Sequence, residues 1–489
     1  MGLIDRAGAR LTARPEEAEI LVVNTCSFID AAKQESIDAI LEMARLKTSG
    51  SAKKLVVAGC LVERYRDEIR KNIPEVDAVV GTGELDAILE AVGLAPAPPT
   101  SSPFTILSGA PSQSATKPIP NEHGAKGRAK GGQEAAAGTH KRRPEAGARA
   151  RQGRFQRDSW DGASAALPTY LYDETTPRLL TTPRASAYIK IAEGCDHPCS
   201  FCVIPNLRGH FRSRRFESVV AEARALVENG TREITLIGQD TTCYGEDLGL
   251  KDGLAQLLDT LAGIEGLRWL RFLYAYPNRI TGRLLDTIAR HGNICKYLDL
   301  PLQHASPEVL RRMKRGGGAE IFLKTLEKVR KTIPGVVLRT SFIVGFPGES
   351  PRDFELLQEF VTEAKFDWLG VFNYSHEEGS AAYALDGRLP KRTIESRRKQ
   401  LMKLQQKISR AEKQNWIGRE LTLLAEGPSE ETPLLWEGRS QFHAPEIDGK
   451  VYINDFGPLD ELTAGRFYRA VVTEAHDYDL VAQVVGAEK

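Results

Sequence analysis

The chain has no run of about 18 consecutive apolar residues, which excludes a membrane-spanning helix. It also lacks an excess of charge: 66 Lys and Arg stand against 65 Asp and Glu, a net of +1. A surface uniformly attractive to nucleic acid is therefore excluded, although local patches are not. Cysteine is scarce and odd in number, seven in 489 residues. That argues against a disulfide-stapled secreted scaffold and towards metal ligands or catalytic thiols. The opening residues, MGLIDRAGARLTARPEE, lack the basic and apolar regions of a signal peptide. A multidomain cytoplasmic protein is expected, with about three domains at roughly 100–200 residues each.

Residues 1–94 read as a parallel α/β domain. Residues 19–23 and 54–58 are short buried strands, 27–46 a helix with Ile29, Ile37, Ile40 and Leu41 on its apolar positions, and 78–80 a third strand. Cys26 and Cys60 fall at strand carboxyl ends, where parallel sheets bind ligands. Residues 1–8 read as the last turns of a helix closing on Gly8, with no strand before it. The expectation is that a first strand is missing and that the natural start lies upstream of Met1, a shorter domain being the alternative. Residues 95–168 are rich in Pro, Ala, Gly and Ser, with Lys141, Arg142, Arg143, Arg149, Arg151, Arg154 and Arg157 and no apolar periodicity. They read as a disordered basic linker, or as a tether touching RNA phosphates.

Residues 169–413 hold six strand candidates, ending at Ile191, Ile237, Tyr274, Leu300, Val344 and Tyr374, with helical stretches between them. That rhythm predicts a partial (β/α)6 barrel with its chemistry at the strand carboxyl ends. A basic helix over 391–413 trails it. Residues 414–489 read as a small five-stranded all-β barrel; from Trp416 on it has six Lys and Arg against fourteen Asp and Glu, a net of −8.

The sharpest motif is Gly194-Cys195-Asp-His-Pro-Cys199-Ser-Phe-Cys202, directly after the first barrel strand. Three thiolates on one short loop can hold three irons of a 4Fe–4S cluster, leaving the fourth open to an exogenous ligand. An iron that binds the amino and carboxylate groups of S-adenosylmethionine can pass an electron to its sulfonium, giving a 5′-deoxyadenosyl radical. The competing reading is a structural zinc loop, but zinc sites favour paired CxxC spacings and closed four-coordination.

The motif and its flanks resemble the radical S-adenosylmethionine methylthiotransferases, and within them the RimO-type enzymes that modify an aspartate of a small-subunit ribosomal protein. The residues that carry the resemblance are Asn24-Thr-Cys26-Ser-Phe-Ile-Asp30, Gly194 to Pro205, Gly238-Gln-Asp-Thr241, Tyr297-Leu-Asp-Leu-Pro-Leu-Gln-His304, Phe342-Ile-Val-Gly-Phe-Pro-Gly348, Tyr374-Ser-His-Glu-Glu-Gly379 and Ala444-Pro-Glu-Ile-Asp448. The resemblance implies that Cys195, Cys199 and Cys202 hold the radical-generating cluster and that Phe201 lies near the adenine. It implies that Gly238, Gln239, Asp240, Gly345 and Gly348 contact the cofactor. It implies a second, auxiliary 4Fe–4S cluster carrying the sulfur to be transferred, with Cys26 and Cys60 as two of its three ligands and no counterpart of the first in this chain. One S-adenosylmethionine would methylate that sulfur, and another would yield the radical that abstracts hydrogen from the aspartate β-carbon.

The resemblance further implies a TRAM-like C-terminal barrel, an electron donor of flavodoxin or ferredoxin type, a monomer, and a ribosomal protein or subunit as partner. The −8 of the C-terminal barrel favours a basic protein over tRNA; the 391–413 helix could touch ribosomal RNA. His304, Arg212 and Arg214 are candidate substrate contacts, and Cys243 and Cys295 read as core cysteines. A tRNA methylthiotransferase and a non-enzymatic Fe–S ribosome-binding protein are the alternatives.

Overall fold

The computed structural model describes residues 1–96, 104–106, 168–432 and 434–488. The linker reading of 95–168 lies almost wholly outside the described residues. The exception corrects it: Phe104–Ile106 is a strand, paired in parallel with Arg178–Leu180.

The N-terminal sheet is parallel, with β1 (Ile20–Thr25), β2 (Lys54–Gly59) and β3 (Ala78–Val80) in that order. Leu55, Val56 and Val57 are all fully buried, because helices cover both faces of β2. Helix α1 (Asp30–Ser49) lays Ile37, Ile40 and Ala44 on this core, and α2 (Cys60–Asn72) starts at the end of β2. Helix α1 begins three residues later than its sequence suggests. Ser27 is not its cap, because that hydroxyl is buried and donates to the Cys60 carbonyl at 2.9 Å.

Six parallel strands form the catalytic barrel: β4 (Ser186–Lys190), β5 (Glu233–Ile237), β6 (Trp269–Phe272), β7 (Tyr297–Asp299), β8 (Val337–Val344) and β9 (Trp368–Asn373). They pair as β4-β5-β6 and β7-β8-β9. The halves join through a bridge between Leu270 and Ile294 and the bond from the Cys295 N–H to the Leu270 carbonyl at 2.9 Å. Among the described residues no ladder joins β4 to β9, so the barrel is open on that side. Outward residues such as Ile234, Leu236, Leu298 and Phe342 form one core with the surrounding helices. Helix α3 (Phe216–Glu228) follows β4, and α4 (Pro351–Ala364) follows β8. Ser350 and Asp353 close a capping box on α4.

Helix α5 (Lys391–Gln414) buries Arg397, Leu401, Gln405, Ser409 and Lys413, a stripe with a four-residue step. It spans two domains: Gln405 donates to the Phe366 carbonyl of the catalytic barrel, and Ser409 to the Asp477 carbonyl of the C-terminal domain. That domain is a closed barrel of β10 (Glu420–Pro428), β11 (Trp436–Ser440), β12 (Val451–Asp455), β13 (Phe467–Ala475) and β14 (Leu480–Ala487). It seals the amino ends of the catalytic strands: Trp269, Tyr297, Val337 and Trp368 pack with Leu424, Ala444 and Phe467. Within this seal the Glu233 carboxylate meets Arg439 at 2.7 Å and Arg271 at 3.2 Å. Burial alone would raise the Glu233 pKa, but the two guanidinium groups hold it down to about 2.

Candidate active site

The cysteine loop leaves the barrel at Gly194, whose φ is +79. A Cβ there would stand 2.2 Å from the His210 carbonyl oxygen, so only glycine lets the chain turn into the loop. Cys195, Cys199 and Cys202 are each partly exposed at the strand carboxyl ends. Two of the sulfurs take an N–H: Cys202 from the Ile204 backbone at 3.5 Å, and Cys199 from Arg315 Nη1 at 3.5 Å. Burial pushes the Cys195 thiol up to about 11 and the Cys202 thiol up to about 12, so both are protonated until a metal displaces the proton.

Among the described residues, the one group of three His, Cys, Asp or Glu with ligand atoms within 4.8 Å of one another is His197, Asp240 and Cys243. The three loop thiols are thus spread wider than sulfurs about 2.3 Å from a single zinc ion could be. Gln239 lies just past β5, and its buried Oε1 has no partner among the described residues, which leaves an acceptor for a bound cofactor. Phe201 is half-buried against the barrel core.

Other expected contacts are reassigned by the geometry. Asp240 is buried and its carboxylate is filled: Oδ2 meets His197 Nε2 at 2.6 Å and Cys243 Sγ at 2.9 Å, and Oδ1 accepts the Thr242 N–H at 2.8 Å. It holds the loop and has no free oxygen for a cofactor. Cys243 is therefore more than core filling. Gly345 and Gly348 both have positive φ, which favours glycine without any cofactor, and a Cβ at Gly345 would also strike Ile394. Gly238 meets nothing closer than 3.5 Å from an added Cβ.

Two substrate candidates are corrected. Arg214 is 1% exposed, paired with Glu222 and stacked over Tyr172, so it cannot meet a docked macromolecule. His304 is fully buried; its Nδ1 accepts the Ser306 N–H at 2.9 Å and burial lowers its pKa to about 3, so it is a neutral core residue. Arg212 is half-buried and donates to the carbonyls of Arg208, His210 and Tyr170.

The N-terminal domain docks on the same end of the barrel. Lys33 and Arg64 both reach the Glu377 carboxylate, at 2.9 and 3.3 Å, and Thr82 donates to the Leu207 carbonyl at 3.2 Å. Cys60 is buried against Val203 and Leu207, directly after the cysteine loop. Burial raises the Cys60 pKa, and the nearby Arg208 guanidinium works against that rise. Cys26 is exposed. Among the described residues, no third His, Cys, Asp or Glu completes a tight ligand group with these two. Sequence reasoning gives no role to Arg315, Tyr276, Arg208 or Glu377, although Glu377 lies in the Tyr374 to Gly379 stretch that carries the resemblance and His197 lies inside the cysteine spacing.

The Radical SAM superfamily matches residues 189–361, the Uncharacterized protein family UPF0004 residues 1–81, and the TRAM domain residues 417–485. A protein of Koribacter versatilis named ribosomal protein uS12 methylthiotransferase RimO is 62% identical over 99% of this chain and 92% of its own length. Proteins of the same name from Solibacter usitatus and Myxococcus xanthus are 52% and 40% identical, over 99% of this chain and 90% and 88% of theirs. With three cysteines gathered on one loop at the strand carboxyl ends and relatives matched almost end to end, the chain belongs to the RimO family of radical S-adenosylmethionine methylthiotransferases.

Proposed function

We propose that the chain transfers a methylthio group to the β-carbon of an aspartate in ribosomal protein uS12. The observation that carries this reading is the pairing of the two thiol sites: Cys60 packs on Val203 and Leu207, next to the loop of Cys195, Cys199 and Cys202. Cys195, Cys199 and Cys202 would hold the radical-generating 4Fe–4S cluster, and Cys26 and Cys60 would be ligands of an auxiliary one. Bound together, cluster and S-adenosylmethionine supply a carbon-centred radical that can abstract hydrogen. The chain's own residues bind and orient. Gln239 offers its unpartnered acceptor to the cofactor, and Phe201 would pack near its adenine. Lys33 and Arg64 clamp the N-terminal domain through Glu377, which keeps the two thiol sites beside each other.

The −8 of the C-terminal barrel supports a basic protein partner over tRNA. An electron donor of flavodoxin or ferredoxin type would reduce the radical-generating cluster. The test is mass spectrometry of uS12 and nucleoside analysis of tRNA after anaerobic reaction with the reconstituted chain. A methylthio group on the uS12 aspartate is expected; modified adenosine with unmodified uS12 would move the assignment to tRNA. Failure to form 5′-deoxyadenosine would favour a non-enzymatic Fe–S protein.

A further inference from the structure

Among the described residues, two N–H groups reach the loop sulfurs within hydrogen-bond geometry, one from the Ile204 backbone and one from a side chain, Arg315. Arg315 is 116 residues from Cys199 and sits in a tight turn. Lys314 before it has φ +54, and Gly317 and Gly318 after it also take positive φ. That turn aims the guanidinium back across the barrel mouth. One of its nitrogens donates to the Pro301 carbonyl at 2.9 Å, and its centre lies 4.4 Å over the Tyr276 ring. The same tyrosine stacks on His197, with centroids 3.9 Å apart and planes 9° from parallel. His197 in turn is fixed by Asp240 at 2.6 Å. A continuous assembly therefore runs from Asp240 through His197 and Tyr276 to Arg315 and the Cys199 sulfur.

Resting on the reading of the three thiols as ligands of one four-iron cluster, we infer that Arg315, Tyr276, His197 and Asp240 form an assembly that sets the reduction potential of that cluster. An N–H directed at a ligand sulfur draws off electron density and stabilises the reduced form, which raises the potential. A guanidinium does this with a full positive charge that persists at any working pH. The backbone donor at Ile204 is fixed by the loop's geometry, so Arg315 is the donor that sequence can vary. Tyr276 holds both Arg315 and the loop histidine, and Asp240 locks the histidine ring. None of the four needs to touch substrate, so they are positioning residues.

The test is potentiometry with electron paramagnetic resonance on the full chain carrying Cys26→Ala and Cys60→Ala, so that one cluster is read. Arg315→Met is expected to keep its iron and to be tenfold less reduced at a fixed potential, a shift of about 59 mV to the negative for one electron. Tyr276→Leu is expected to move the same way by less, and Tyr276→Phe to match the parent, because the ring and not the hydroxyl carries both contacts. Unchanged potential and spectrum in both Arg315→Met and Tyr276→Leu would overturn the inference. Should Arg315→Met lose iron, the Tyr276 pair decides by the same criterion. A parent that binds no four-iron cluster at these thiols would instead overturn the ligand reading.

Discussion

The two ends of the catalytic barrel are built on opposite plans. At the carboxyl ends, thiols, an unpartnered amide oxygen and half-exposed aromatics such as Tyr274 and Phe372 stand open. At the amino ends, Glu233, Arg271 and Arg439 are sealed under a second barrel, and Glu426 supplies the second carboxylate that matches their charge. The contrast assigns chemistry to one end and cohesion to the other, as in closed (β/α)8 barrels. A substitution should thus alter either turnover or stability, according to the end it falls on.

The largest effect is expected at the open end. Cys199→Ala should abolish both 5′-deoxyadenosine and methylthiolated product while leaving the thermal midpoint near the parent's. Chromatography of the cleavage product beside a melting curve checks this, and retained product would break the division. Cys60→Ser sharpens it within the open end: cleavage of S-adenosylmethionine should continue at roughly the parental rate while methylthio transfer falls to background.

At the sealed end, Glu233→Gln takes the carboxylate from buried Arg271 and leaves buried Arg439 with Glu426 alone. It should cost about 3–5 kcal/mol of stability, read from urea unfolding, with little change in activity per folded molecule. A smaller effect depends on pH. Lys413 is buried against Trp368, and burial lowers its pKa to about 8. Between about 8 and its ordinary 10.5 the unfolded chain holds more protons than the folded one, so stability rises with pH across that window. Lys413→Met should lack this rise, visible as a urea midpoint that gains on the parent at pH 7 and loses the advantage by pH 10. The smallest effect is expected from Ser350→Ala, which removes the cap of α4 for about 1 kcal/mol.

Much of the open end is legible in the chain itself. The CxxxCxxC spacing is local, and each barrel strand announces itself by a short apolar run followed by a helical pattern, so β5 and β8 end where sequence reading puts them. The failures share a cause, which is pairing at long range. Arg214 looks like a surface cation until Glu222 and Tyr172 enclose it. Asp240 looks like a cofactor ligand until His197 and Cys243 fill its carboxylate. The glycines at 345 and 348 fit a cofactor cradle equally well, yet the side chains of Ile394 and Arg312 occupy the space. Nothing near Arg439 in sequence announces a partner 206 residues earlier.

That last separation has a consequence for synthesis. Translation delivers Glu233 and Arg271 long before Arg439, and the apolar undersides of β6 to β9 before Phe467 and Leu424. Until the final strands emerge, the nascent barrel carries an exposed apolar floor and a carboxylate with half its partners. The tail of the chain is thus the keystone of its assembly, and a ribosome that stalls late leaves behind a thiol-bearing mouth on a body that cannot close.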